Sequence, residues 1–205
     1  MDKQKRFSLK SGFLTFVTSN IILILFFLIF MVNRNEWRYD GVNFVILFLL
    51  VAESFIVIFS SLACFNTKGG ENFEKDKQKS HSRELLGFGI TFIVLSLFSF
   101  LFLGAVVPYP STLIFLILMT NFMVSLYSIV FHPVALRIYQ ANVFQEKITM
   151  MDYIFKYVAI FLSGINCYVQ MILLRLPLLI NKPIAVVFVL FLVWEGSVLV
   201  IVFDK

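Results

Sequence analysis

The sequence predicts an all-α polytopic membrane protein, one domain folded as a bundle of six transmembrane helices with both termini on the cytoplasmic side. Three observations predict it. The chain is 60% hydrophobic and 14% charged over 205 residues, where soluble domains run nearer ~45–50% and ~25%. Six apolar runs each approach the ~20 residues an α-helix needs to cross hydrocarbon, the one open structure that satisfies its own backbone there. Finally, Lys and Arg alternate between rich and poor connections, the signature of cytoplasmic retention.

The first run is Gly12 to Val32. It spans 21 residues and leads into Asn33-Arg34-Asn35-Glu36 instead of a small-residue cleavage site, so it is expected to remain as a helix. The second is 42–65 and the third 85–107, closed by the breaker Pro108-Tyr109-Pro110. The fourth is 112–131. The fifth is 157–180, with Pro177 either kinking it or ending it near Leu174, and the sixth is 183–203. Between the second and third lies the one long polar stretch, NTKGGENFEKDKQKSHSRE over 66–84, read as a cytoplasmic loop opened by a glycine pair. No repeat of 20 to 50 residues is apparent.

Orientation follows from the cations. Four near the N-terminus (Lys3, Lys5, Arg6, Lys10), five from Lys68 to Arg83, then Arg137, Lys147, Lys156 and Lys205 fall on one side, thirteen in all. Arg34, Arg38, Arg175 and Lys182 fall on the other. The rich side is the cytoplasmic one, which places the chain in a bacterial cytoplasmic membrane with both ends inside. The net charge of +5 then reads as attraction to anionic lipid head groups, not to nucleic acid.

Polar residues within the runs are the candidate functional groups. Glu53 and Glu195 fall about halfway along the second and sixth runs, where a charge costs at least ~2.5–3.5 kcal/mol on insertion scales. Each is therefore expected to face protein or water. Arg175 is the one basic residue placed to reach inward, with Glu195 its better candidate partner if the fifth helix continues past Pro177. Asn121, Ser125, Ser128 and His132 recur at helical spacing on the fourth helix, as do Ser163, Asn166 and Gln170 on the fifth. Two readings stay open for these stripes, a polar path or cavity and interhelical hydrogen bonding.

Other features read as structural. Cys64 and Cys167 lie in apolar runs with no His or Cys at ligand spacing, so neither a disulfide framework nor a metal site is expected. The 26 Phe residues read as the codon usage of an AT-rich genome and not as a binding box. His132 beside Pro133 reads as an interfacial cap, and 133–147 as a segment on the inner membrane surface suited to docking a partner. No metalloprotease helix, nucleophile elbow or phosphate loop occurs, so catalysis and a cofactor are not expected.

The order of features resembles the YesL-like family, small polytopic bacterial membrane proteins often encoded beside carbohydrate ABC importers. The resemblance rests on Asn20 within TSNIILILFFLIF, on KGGENF at Lys68 to Phe73 before a basic stretch, and on YSIVFHPVALRIYQAN from Tyr127 to Asn142. In the last stretch Pro133 and Arg137 keep a spacing similar to the family's. The resemblance implies a non-enzymatic accessory of a sugar importer, in contact with its permease and ATPase subunits. Two alternatives stand beside it: a six-helix permease subunit forming the transport path itself, and an immunity protein against a membrane-active peptide. Homo-oligomerisation is left open.

Overall fold

The computed structural model describes residues 5–67, 81–102 and 107–204. Most of the polar loop, including KGGENF, and the last residues of the expected third run lie outside them. A short ladder opens the chain: β1 (Lys5–Phe7) pairs antiparallel with β2 (Phe65–Thr67), Lys5 opposite Thr67. The helices are α1 (Leu9–Val32), α2 (Gly41–Ala63), α3 (His81–Ser99), α4 (Ser111–Phe144), α5 (Met150–Leu173) and α6 (Leu178–Phe203). Each contains a stretch long and apolar enough to cross a membrane, and the chain is a multi-pass membrane protein.

Local chemistry sets the boundaries. Ser8 caps α1, its hydroxyl accepting from the Ser11 N–H at 3.4 Å. Thr149 and Asp152 form a reciprocal capping box: the Asp152 N–H donates to Thr149 Oγ1 at 3.3 Å and the Thr149 N–H to Asp152 Oδ2 at 2.7 Å. That box starts α5 seven residues before the expected 157. The same helix stops at Leu173, and Pro177 is the N-cap of α6, because the residue before a proline is driven out of the helical region. Pro177 thus ends the fifth helix, and Arg175 sits in a turn.

The fourth helix breaks at Phe131 (φ −114°, ψ 43°). Pro133 has no N–H to offer the carbonyl four residues back, that of Ile129, and its ring crowds it. The freed Ile129 carbonyl accepts instead from Lys182 Nζ at 2.6 Å. Beyond the break α4 turns back along α5, for the Tyr139 hydroxyl reaches to 3.8 Å from where a Cβ on Gly164 would stand.

The packing corrects the expected topology. The Ser8 N–H donates to the Cys64 carbonyl at 2.9 Å, so α1 begins where α2 ends. At the far end Phe30 packs on Phe48 (ring centroids 5.2 Å) and on Phe203 (6.4 Å), and the Arg38 N–H donates to the Val202 carbonyl at 2.9 Å. Phe55 lies on Phe191 at 4.2 Å and Phe59 beside Phe188 at 6.4 Å. Helix α6 is therefore antiparallel to α2 and parallel to α1, and the start of α1 and the end of α6 lie at opposite ends of the bundle. Both termini on one side does not fit this arrangement. The physical reason is the Phe131 break: the tail of α4 returns the chain, so that α5 runs in the same sense as the first part of α4 and α6 reverses it.

Helix α6 is the centre of the bundle. Half of its apolar stretch is buried (50%), against 11% for α1 at the periphery. With lipid as apolar as the core, tight packing and not transfer from water selects this arrangement.

Candidate functional site

Two polar regions lie inside the bundle, and they are built differently. The first is a seam between α4 and α5. Asn121, fully buried, donates from Nδ2 to the carbonyls of Ile117 (2.8 Å) and Phe161 (3.1 Å), and its Oδ1 accepts the Asn166 N–H at 3.0 Å. Asn166, also fully buried, donates from Nδ2 to Ser128 Oγ at 2.9 Å and accepts from Gln170 Nε2 at 3.4 Å. The hydroxyls of Ser125 and Ser128 donate back to the carbonyls of Phe122 and Val124. The stripes predicted from spacing do meet. They meet as a closed network, with only Gln170 Oε1 lacking a partner among these side chains, and none of them lines the cavity described next.

The second region is a cavity of about 430 Å³ enclosed by α1, α2, α4, α5 and α6. Its wall is phenylalanine. Phe55 stacks on Phe191 (4.2 Å, 6° between planes), on Phe59 (4.5 Å) and on Phe188 (5.7 Å), and Phe48 and Phe161 add to the lining. Glu195 is one of the lining residues, 1% exposed, and both of its carboxyl oxygens are buried with no hydrogen-bond partner among the described residues. Glu195 lies eight residues from the end of α6, about 12 Å along the axis at 1.5 Å per residue. The lining also holds the hydroxyls of Thr15, Thr18, Ser19, Tyr139 and Tyr168 and, among the described residues, no Lys, Arg or His. Tyr168 donates to Thr15 at 3.0 Å.

The cavity has a side facing outward. Ile22 and Leu25 of α1 line it, yet are 40% and 53% exposed on the bundle surface. Among the described residues α1 is hydrogen-bonded to α5 by Tyr168 to Thr15, and to the turn after α5 by Arg175 Nη1 to Ser11 Oγ at 3.5 Å, both near the β1–β2 end. At the other end the C-cap of α1, Asn33, donates from Nδ2 to the Pro108 carbonyl and to Ser111 Oγ, each at 3.1 Å.

The remaining predicted residues are dispersed. Arg175 is bound to Ser11 and stands seventeen or more residues from Glu195 along α6, about 26 Å at 1.5 Å per residue. The expected Arg175–Glu195 pairing is thus not formed, because the fifth helix ends before Arg175. Glu53 is half-buried and outside the cavity lining. Pro133 and Arg137 are exposed on the returning part of α4, and the side chain of His132 lies outside the description. Among the described residues no three His, Cys, Asp or Glu side chains come together as a metal site.

Sequence reasoning passed over the cavity wall. Its signal was the pairing of Phe55 with Phe59 and Phe188 with Phe191, at four and three residues on one helix face, hidden among the many other Phe. No family model, no curated protein and no solved structure matches this chain.

Proposed function

We propose that the chain is a non-enzymatic component of a solute-import system, an accessory subunit that holds a small molecule within the bilayer beside an ABC importer instead of forming the import path. The closed α4–α5 seam carries this reading. A permease path needs polar groups free to exchange partners with solute and water, and Asn121, Asn166 and Ser128 are committed to one another. The free volume is walled by aromatic rings, which suits retention of an apolar body more than passage of a hydrated sugar. The carbohydrate importer itself, with its permease and ATPase subunits, comes from the resemblance to the YesL-like family in Tyr127 to Asn142. That stretch contains the break at Phe131 and sends Tyr139 back to the cavity.

Affinity purification of the chain from gently solubilised native membranes tests the accessory role. Permease and ATPase subunits are expected to co-purify in fixed ratio. Recovery of the chain alone would overturn the role, and sensitivity of a deletion strain to a membrane-active peptide, with uptake intact, would replace it with immunity.

A further inference from the structure

The cavity wall and Glu195 together specify a ligand class, an inference that rests on the reading of the chain as a small-molecule holder. We infer that the cavity binds a lipophilic organic cation, with the cationic centre at Glu195 and the apolar body against Phe55, Phe188 and Phe191. Four observations converge on this class. The acid belongs to the cavity wall and is almost wholly buried, with both oxygens unpartnered among the described residues, so it carries unused capacity for a donor or a positive charge. Among the described residues no Lys, Arg or His lines the space to receive an anion or to neutralise the acid from within. Phenylalanine rings line the space, and an aromatic ring attracts a cation placed over its face within about 6 Å of the centroid. The volume of about 430 Å³ lies within the ~300–1,000 Å³ range of small-molecule sites.

Other classes fit less well. A fatty acid would bring a second carboxylate to Glu195. A sugar asks for a partner at nearly every hydroxyl, and of the hydroxyls in the lining Thr15 and Tyr168 already serve each other. A plain hydrocarbon leaves the acid as it stands, buried without a partner, at a cost of several kcal/mol for an ionised group. Entry is lateral, from the bilayer past Ile22 and Leu25 of α1, the route open to a molecule that partitions into lipid.

The test uses the purified full-length chain in lipid nanodiscs and a pair of probes of one shape and opposite charge, tetraphenylphosphonium and tetraphenylborate. Saturable binding of tetraphenylphosphonium to one site is expected, with tetraphenylborate binding no better than to empty nanodiscs. Glu195→Gln keeps the size of the side chain and should weaken the phosphonium by about tenfold or more, as loss of one partner of a desolvated charge pair does. Phe55→Ala should weaken it with Glu195 intact. Melting curves of both variants establish that they fold. Equal binding of the two probes, absence of saturable phosphonium binding, or phosphonium binding unchanged in folded Glu195→Gln would each overturn the assignment. Because the measurement involves no importer, such a result with permease and ATPase co-purification intact removes the ligand class and leaves the accessory role standing.

Discussion

The α4–α5 seam and the Glu195 cavity are both polar features buried in one bundle, and they differ in one respect. In the seam nearly every buried donor and acceptor has a partner: Asn121 alone ties together Ile117, Phe161 and Asn166. In the cavity the buried acid has none. A satisfied network fixes helices in register and is silent toward ligands, whereas an unsatisfied group destabilises the fold and persists where a ligand or ion makes use of it. The contrast separates structural polarity from functional polarity within one bundle, and it can be broken experimentally at several points.

The largest effect concerns the frame on which both regions stand. With α6 parallel to α1, a reporter at the C-terminus should report the side opposite to a reporter fused ahead of Ser8. Reporters on the same side would undo the placement of both regions. Next is Asn121→Leu, which removes both hydrogen bonds that Asn121 makes to α5, at the Phe161 carbonyl and the Asn166 N–H, and should cost roughly 2 kcal/mol, read from equilibrium unfolding in mild detergent. A loss below a few tenths would remove the seam from any structural role. Gly12→Ala is a smaller perturbation of the cavity's α1 flank. Its Cβ would meet the Ser60 carbonyl at 2.7 Å, and displacement of α1 should cost about 1 kcal/mol and alter probe binding in the same measurement. Smallest is Lys182→Met, which frees the Ile129 carbonyl at a solvent-accessible position and should cost about 0.5–1 kcal/mol.

Much of this was legible in the sequence, and the remainder has identifiable causes. Apolar length gave all six helices, with α1 and α2 placed within three residues of their ends. Spacing gave the faces of Asn121, Ser125 and Ser128 and of Ser163, Asn166 and Gln170. What spacing cannot state is whether two polar faces meet each other or a void, since that depends on crossing geometry. The start of α5 is written in Thr149-x-x-Asp152, a capping box that apolar length does not register. Asp152 is consumed by the cap and Lys156 by Glu84 at 2.7 Å. The direction of α6 was lost because counting runs assumes that each reverses the last, and the break within α4 at Phe131, two residues before Pro133, cancels one reversal. The acid at Glu195 stood out as an ionisable group in an apolar run. Its partner was misjudged because Arg175 was credited to a helix that ends at Leu173.

The measurement that bears most directly on the contrast is the unfolding free energy of Glu195→Met, a near-isosteric change that removes the orphan carboxyl and leaves the ring stack intact. If the acid is held for a ligand and not for the fold, this variant unfolds at about 1 kcal/mol higher stability than the unsubstituted chain, and tetraphenylphosphonium no longer stabilises it. A variant less stable than the parent, still stabilised by the phosphonium, would show Glu195 to be one more member of a structural network and would contradict the account.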